Sequence, residues 1–415
     1  MYRKLAKYLE SKDYDVKVFN LVNPTYSNGA RFIKFIEDET DAQIFSQIVI
    51  EGTQLDRRSG GDEFWNRGEQ NLLKALLLYV INYVKREEDK SMGFIYDALA
   101  SGNIKQIDNL FLETEGPTKL SYNIYAQATD IVKQSIVTGL ATRLQIFQTD
   151  KIRNITNKDE INFENIGNKK TCVFVVTSDT NSAFDFLSTL FFSFLFIKLI
   201  KQADENPDGK LKVETSLILD EFTNIGRIVD FEKKLATTRS RGINIFMIFQ
   251  NIAQLKNRYD NDVWQEILGN ADTKICMGAG DILTAEYITE YLGVATVETN
   301  AIRKEAGFDG KFTYGMENIS TNKRNLMNPD ELLKLDNNKE IVIVRGRKPF
   351  ICNKYDYSKH SESGKLEDMT LEELKVRFKD NVENEKNSYK KSKNVIKHRR
   401  KPSKNVRKLK ISKKA

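Results

Sequence analysis

The hydrophobic pattern of the chain changes its period near residue 160. Residues 2–12 predict a short helix and residues 16–21 an alternating strand. From about residue 41 to residue 149 apolar side chains recur at helical spacing, which predicts an all-helical block. Asp62 is the expected N-cap of a helix whose apolar stripe consists of Leu72, Leu73, Leu76, Leu77, Val80, Ile81 and Val84. A helix over 94–100 should end at Gly102, and a long helix should span 122–147.

After residue 170 the pattern becomes one of short apolar runs separated by helical stretches. Strands alternating with helices predict a parallel sheet that is covered on both faces, with a ligand site at the carboxyl ends of its strands. The predicted strands are 171–177, 214–219, 243–249, 273–277 and 340–344, and the predicted helices are 181–202, 229–240, 282–292 and, after the sheet, 371–378.

One segment, residues 186–197, is apolar throughout with the sequence FLSTLFFSFLFI. Twelve uncharged residues are fewer than the roughly 20 that a helix needs to cross a bilayer. The segment follows a predicted strand and ends at Lys198 and Lys201, as a buried helix of an α/β core would. We therefore expect no membrane-spanning segment in this chain, and no signal peptide before its first helix.

The formal net charge of +7 hides a strongly basic C-terminus. Residues 383–415 contain 14 Lys or Arg and two Glu, so the preceding 382 residues carry a net charge of −5. A run of this kind is typically disordered and binds polyanions by releasing counterions, or it only keeps the protein soluble. Three widely spaced cysteines and two histidines favour neither a disulfide framework nor a zinc site.

The clearest chemical motif is the apolar run 217–219 followed by Asp220 and Glu221. A buried strand that ends in two adjacent carboxylates is typical of the Walker B strand of an NTPase. We predict that Asp220 holds Mg²⁺ through its water shell and that Glu221 orients and deprotonates the attacking water. Taken alone, the same run also fits a strand with an acidic cap.

Two further features lie within the next thirty residues. A second apolar strand ends at Gln250, which should lie at the same sheet edge and sense a γ-phosphate or position water. It could equally make an ordinary strand-end hydrogen bond. Arg239 and Arg241, between the two strands, could stabilise phosphoryl-transfer charge across a subunit boundary. They could also complement the dipole of the helix that they end.

Residues 217–259 resemble the Walker B to sensor region of TraG/TraD-type coupling proteins of type IV secretion systems. The resemblance continues in the segments 19–24, 60–65, 267–272, 291–293, 328–332 and 344–349, so that it covers residues 1–359. It implies a RecA-like P-loop NTPase core with an inserted all-helical domain. It also implies a homo-hexamer that uses ATP and Mg²⁺ to move single-stranded DNA through a central channel.

The resemblance further implies the partners and the place of the protein. A coupling protein links a relaxase–DNA substrate, recruited through the helical domain, to the channel proteins of the secretion system. It serves a plasmid or an integrative conjugative element and works on the cytoplasmic side of the cell membrane, at its inner face. The expected domains are 1–40 and 161–359 for the motor core, 41–160 for the helical domain, and 360–415 for a polar and basic tail.

One part of the family pattern, the phosphate-binding loop GxxxxGK[ST], does not occur in these 415 residues. The stretches 167–171, 307–311 and 364–365 each fail to match it. Without its amide nest and its lysine, the β- and γ-phosphates lose most of their cradle. The family's membrane-spanning N-terminus has no counterpart here either. We therefore expect a C-terminal portion or a late start, inactive by itself, and an unpaired edge on the strand 243–249.

Whether this chain is an enzyme stays open at this point. The first alternative is a non-hydrolytic adaptor that binds DNA or a relaxase. The second is another secretion or DNA-pumping ATPase, such as a pilus-assembly or FtsK-like motor. The helical block between the first strand and the Walker B strand argues against an FtsK-like protein.

Overall fold

The computed structural model describes residues 1–53, 63–178, 184–306 and 312–383, with the backbone alone over 300–306 and 312–319. The elements up to residue 213 are α1 (Tyr2–Glu10), β1 (Asp15–Asn20), α2 (Glu39–Gly52), α3 (Glu63–Tyr83), α4 (Met92–Ala100), α5 (Ile104–Leu110), α6 (Gly116–Ala126), α7 (Asp130–Arg143), α8 (Asp150–Asn157), β2 (Thr171–Val176) and α9 (Asp185–Glu205). Those that follow are β3 (Thr215–Leu219), α10 (Phe231–Thr238), β4 (Ile243–Met247), α11 (Ile252–Arg258), α12 (Val263–Gly269), β5 (Thr273–Cys276), α13 (Ile282–Leu292), β6 (Val294–Ala306), β7 (Phe312–Asn325), α14 (Pro329–Leu333), β8 (Lys339–Val344), β9 (Phe350–Asn353) and α15 (Leu371–Arg377).

The chain forms two compact units. The first contains Met1–Val213 and Leu366–Ala415, and the second contains Glu214–Lys365. The segment 161–213, which we expected to share a domain with residues 214–359, therefore lies in the first unit. The expected division into the ranges 1–40, 41–160, 161–359 and 360–415 stays a prediction, and the basic residues 384–415 of the expected tail lie outside the described residues.

The first unit is built around a parallel pair of strands, β1 and β2, in register from Asp15↔Thr171 to Asn20↔Val176. Helix α9 packs beside them, because Phe191 stacks on Phe19 of β1 at 5.4 Å between ring centroids. The same helix contacts α2, where the rings of Phe194 and Phe45 lie 5.6 Å apart. The apolar segment 186–197 is thus part of a protein core, as predicted.

Helix α9 is longer than its apolar segment suggested. It has 21 residues, and within the described part of the chain it is the one helix that is long and apolar enough to cross a membrane by length and composition. In its most apolar window, 72% of the residues are buried inside the protein. Length therefore does not exclude a membrane span, but the burial is that of a core helix. The predicted start of this helix, at residue 181, lies outside the described residues.

Helices α2–α8 form the predicted helical block. Five residues of the predicted stripe are buried in α3: Leu72, Leu73, Leu76, Leu77 and Val80. Gly102 follows α4 with φ +64°, a left-handed conformation that suits the glycine predicted to end this helix. The single helix predicted over 122–147 is wrong. Thr129 is extended (φ −65°, ψ 158°) and starts α7 as an N-cap residue, so α6 and α7 are separate helices. Asp62 lies outside the described residues.

The C-terminal segment returns to the start of the first unit. Leu374, Phe378 and Met369 pack with Tyr2 and Val16 in one buried cluster. The predicted helix over 371–378 is therefore present as α15, but it belongs to a packed core although it lies within the range expected to be a polar tail.

Polar contacts fix the same segment. Arg377 donates to Glu10 at 2.5 Å and to the carbonyl oxygen of Val16 at 3.1 Å. Asn381 donates to the carbonyl oxygen of Ser27 at 2.9 Å. Because the partners lie more than 350 positions away in sequence, these contacts close the first unit.

An ion pair joins α15 to α1. Lys7 Nζ lies 2.7 Å from Glu373 Oε1. The ammonium of Lys7, helped by the backbone amide of Thr370, lowers the pKa of Glu373 to about 2. The carboxyl group therefore stays ionised well below the pH at which an ordinary glutamate takes up a proton.

The second unit contains three small sheets. Strands β3 and β4 are parallel, in register from Thr215↔Ile243 to Leu219↔Met247. Strands β5, β8 and β9 form a three-stranded antiparallel sheet. The positions of β5 and β8 were predicted correctly, but their inclusion in a parallel sheet was wrong, because an apolar run carries no information about strand direction.

A long hairpin and an open edge complete the second unit. Strands β6 and β7 pair antiparallel from Val294↔Asn325 to Ala306↔Phe312 and were not predicted. Within the described residues β4 pairs with β3 alone, which confirms the expected unpaired edge. The expectation of a sheet covered on both faces is wrong here, since Ile218 of β3 is 64% exposed and Phe246 of β4 is 54% exposed.

We predict that the C-terminal segment stabilises the first unit. Deleting residues 366–415 uncovers the partners of three buried side chains, so the free energy of unfolding should fall by about 4–8 kcal/mol. Urea denaturation followed by circular dichroism measures this change. The matched control ends at Glu383 and keeps every described residue; it should unfold at the same urea concentration as the intact chain. Equal stability of the two truncated chains would contradict the proposed packing role.

Candidate functional site

The hydrogen bonding between β3 and β4 continues beyond the last residues of both strands. The amide of Ile248 donates to the carbonyl oxygen of Leu219 at 3.0 Å. The amide of Phe222 then donates to the carbonyl oxygen of Ile248 at 2.8 Å. These two bonds hold the segments that follow both strands side by side at one edge of the sheet.

Three predicted site residues meet at this edge. Gln250 Nε2 donates to both carboxylate oxygens of Glu221, at 3.3 Å and 3.4 Å. Glu221 is half-buried, while Asp220 and Gln250 are exposed. The structure thus places Asp220, Glu221 and Gln250 together, as the sequence predicted from two parallel neighbouring strands.

The backbone of Glu221 has an unusual conformation. With φ 52° and ψ 45° it is left-handed, which is uncommon for a residue with a Cβ atom and costs roughly 1–2 kcal/mol. Such conformations persist where the surrounding structure enforces them, and they concentrate at functional sites. Here the hydrogen bond from the amide of Phe222 to the carbonyl oxygen of Ile248, the residue after β4, fixes the backbone directly after Glu221.

A residue that the sequence analysis missed also contacts this carboxylate. Asn224 Nδ2 lies 3.5 Å from Glu221 Oε2, and the amide of Asn224 donates to the carbonyl oxygen of Glu221 at 2.7 Å. An asparagine three positions after the acidic pair is the only trace of this contact in the sequence. Two side-chain amides, from Gln250 and Asn224, therefore limit the rotation of the Glu221 carboxylate.

The loop after Glu221 is fixed by Arg258, the last residue of α11, and by Tyr259, which follows it. Tyr259 is buried, and its ring stacks on Phe222 at 5.6 Å between centroids. Its hydroxyl oxygen accepts from the buried amide of Ile228 at 3.3 Å. Arg258 Nε donates to the carbonyl oxygen of Thr223 at 3.0 Å. Neither Tyr259 nor Arg258 was predicted, although both lie in the segment that carries the resemblance.

The donor groups at the edge suit a weakly held hard cation. Within residues 1–53, 63–178, 184–306 and 312–383, no cluster of three or more His, Cys, Asp and Glu side chains could enclose a metal ion. Mg²⁺ usually keeps several waters and takes one or two carboxylates together with substrate phosphates. The exposed carboxylate of Asp220 fits that role, through water rather than inside a closed cage.

The predicted arginines lie at the other end of β4. Arg239–Arg241 forms a helical turn after α10, and β4 begins at Ile243. At about 3.3 Å per residue, β4 separates these arginines from Gln250 by roughly 15–20 Å. Arg239 Nη1 donates to Asp272 Oδ2 at 2.6 Å, and Arg241 Nη1 donates to the carbonyl oxygen of Thr237 at 2.8 Å. The chain therefore does not bring them to its own acidic pair, and a role across a subunit boundary stays a prediction.

The comparison with protein families agrees with this geometry. Residues 1–390 match the family described as type IV secretory system conjugative DNA transfer, and the chain belongs to this family. The match extends past residue 359, where the resemblance of the motifs ended.

Curated relatives come from the same family. The chain is 25% identical over 215 residues to protein VirD4 of Rhizobium radiobacter, covering 52% of the chain and 30% of the relative. It is 22% identical over 332 residues to the type IV secretion system-coupling protein VirD4 of Bartonella henselae, covering 78% of the chain and 50% of the relative. The chain thus spans half or less of the length of these relatives.

Solved structures show the fold. The bacterial conjugative coupling protein TrwBdeltaN70 superposes with a TM-score of 0.62 at 15% identity, covering 85% of this chain and 80% of that one. TrwB in complex with ADP and Mg²⁺ superposes with a TM-score of 0.60 at 15% identity, covering 85% of this chain and 75% of that one. The predicted RecA-like P-loop NTPase fold is confirmed, and so is the predicted coupling-protein family.

We predict that the hydroxyl group of Tyr259 stabilises the loop behind the acidic pair. Tyr259→Phe leaves the buried amide of Ile228 without its partner, so the free energy of unfolding of the second unit should fall by about 1–3 kcal/mol. Amide hydrogen exchange of residues 222–228 should become faster. Tyr355→Phe is the control, because Tyr355 is 68% exposed and the change should have no effect on either quantity. Unchanged exchange in Tyr259→Phe would show that the hydroxyl does not hold the loop.

Proposed function

We propose that this chain is part of the ATP-driven motor of a conjugative coupling protein, which moves single-stranded DNA into a type IV secretion channel. The observation that carries the proposal is the contact between Glu221 and Gln250 at the carboxyl edge of β3 and β4. In a chain with a RecA-like fold, this is the edge at which ligands bind.

Three residues, Asp220, Glu221 and Gln250, have different roles in the proposed hydrolysis of ATP. Bound ATP with Mg²⁺ would supply the phosphoryl group and the charge that neutralises it. Asp220, exposed at the strand end, would hold the cation through its water shell. Glu221 accepts a proton from the attacking water, and the two hydrogen bonds from Gln250 keep its carboxylate oriented for that water. Loss of the Gln250 contact should therefore slow hydrolysis by misorienting the base.

The arginines are proposed to act on a neighbouring copy. Arg239 has a side chain that is 82% exposed, and Arg241 is half-buried two positions later. Since both lie far from their own Glu221, they would reach phosphate charge only across a subunit boundary, as in a ring. In the complete protein, we propose that a homo-hexamer supplies this boundary.

The family also supports a proposal for the partners and the location of the protein. We propose a relaxase–DNA substrate bound through the helical domain, residues 41–160, and secretion-channel proteins as the acceptor. The motor would work on the cytoplasmic side of the cell membrane, at its inner face. The basic residues 384–415 would add a second contact for nucleic acid.

The phosphate-binding loop is proposed to come from a segment other than these 415 residues. No part of them matches GxxxxGK[ST], and the apolar strand β4 has an unpaired edge within the described residues. An exposed edge of this kind invites another strand. Without such a segment the protein would instead be a non-hydrolytic adaptor. The assay of ATP hydrolysis described next distinguishes a motor from an adaptor.

We predict that the purified 415-residue chain alone shows no Mg²⁺-dependent ATP hydrolysis, and that the complete motor does. In the complete motor, Glu221→Gln should lower kcat by at least about 100-fold, because the general base is lost. Gln250→Ala should lower kcat by roughly 10-fold. A coupled assay of phosphate release measures both.

Gln265→Ala is the matched control for Gln250→Ala. Gln265 is an exposed glutamine of the same unit that donates to Asp262, away from the acidic pair. Its variant should hydrolyse ATP at the wild-type rate. Hydrolysis by the 415-residue chain alone, lost in Glu221→Gln, would refute the need for another segment. Full activity of the complete motor with Glu221→Gln would refute the assigned base.

A further inference from the structure

The turn between β8 and β9 has no role in the proposed function, although its sequence is part of the family resemblance. Between Ile341 and Lys354 the chain contains Arg345, Arg347, Lys348 and Lys354 and neither Asp nor Glu. Gly346 has φ 74°, which makes this tight reversal possible. The first three cations of the run are all exposed. We call Arg345, Arg347 and Lys348 the basic turn.

The carboxylate of Asp272 connects the basic turn to the helical turn Arg239–Arg241, which precedes β4. Arg345 Nη1 donates to Asp272 Oδ1 at 3.1 Å, and Arg239 Nη1 donates to Asp272 Oδ2 at 2.6 Å. The amide of Arg345 also donates to the carbonyl oxygen of Asp272 at 2.9 Å. A single negative charge thus faces two guanidinium groups, and the exposed residues Arg347 and Lys348 follow Arg345 in the chain. The surface keeps a positive charge after this pairing.

An exposed aromatic residue follows the basic turn in the sequence. Phe350, the first residue of β9, is 51% exposed and lies two positions after Lys348. Proteins bind single-stranded nucleic acid with cationic side chains that contact the phosphate backbone and with exposed aromatic rings on which the bases stack. Every base can stack in this way, so the binding tolerates different sequences. A nucleoside triphosphate needs a cradle of free backbone amides instead. Here the amide of Arg347 is used by the carbonyl oxygen of Val344, at 3.0 Å.

We propose that the basic turn, with Phe350, binds the backbone and a base of single-stranded DNA. This inference takes the DNA partner from the proposed function and adds the surface that contacts it. Asp272, besides its hydrogen bonds to the basic turn, should affect the strength of DNA binding. Because its carboxylate offsets the charge of Arg345 and Arg239, it weakens the attraction of this surface for phosphate.

Binding of a labelled oligothymidylate to the full chain, measured by fluorescence anisotropy at several salt concentrations, tests the proposal. Replacing all three residues of the basic turn by alanine should weaken binding. If each contacts one phosphate, the slope of log K against log salt should become shallower by about 2. Phe350→Ala should weaken binding about tenfold without changing the slope. The Asp272→Asn variant should bind the oligothymidylate more tightly than the wild type, and its slope of log K against log salt should be steeper.

The matched control replaces Lys233, Lys256 and Lys334, three exposed lysines of the same unit, by alanine and should leave the slope unchanged. The opposite sign expected for Asp272→Asn separates a charge effect from misfolding, which would weaken binding in every variant. The basic tail is present in all variants, so its contribution cancels. Equal slopes in the triple variant and its control would overturn the proposal and leave the proposed function intact. No binding by the wild-type chain would contradict the DNA partner itself.

Discussion

Strands β3 and β4 run parallel and in register, and their hydrogen bonding continues through Ile248 and Phe222 beyond the strand ends. The position of the whole candidate site depends on this pairing. A shift by one residue would turn the side chains of one strand to the other face and would separate Gln250 from Glu221. The left-handed backbone of Glu221 and the ring of Tyr259, which stacks on Phe222, fix the loop that follows the carboxylate.

The sequence was sufficient for this part of the molecule because its signals are local. Largely apolar runs of six and seven residues, 214–219 and 243–249, located β3 and β4. A helix between two parallel strands makes them neighbours. Polar residues directly after both runs then had to meet at one edge, as Glu221 and Gln250 do. The helix α13 was predicted with its exact bounds, since it begins after Asp281, which caps it, and ends before Gly293.

Other features depend on contacts that no local pattern encodes. The apolar run of β8 could not reveal that it pairs antiparallel with β5. The strands β6 and β7 have a polar sequence and pair mainly with each other, so they lack the apolar alternation that marks a half-buried strand. The return of α15 to the first helix joins residues at opposite ends of the chain. Only the structure identifies Asn224 and Tyr259 as parts of the site, through the contact of Asn224 with Glu221 and the hydrogen bond from Ile228 to Tyr259.

DNA transfer between cells is the most direct test of the proposed role of Glu221 as the general base of a conjugative motor. Donor cells that lack the gene should transfer their conjugative element again when the complete wild-type gene is supplied. Glu221→Gln should restore no transfer, although the protein accumulates to the wild-type level, whereas the control Gln265→Ala should restore it fully. Wild-type transfer with Glu221→Gln would show that the protein contributes binding and not hydrolysis, and that Glu221 is not the general base.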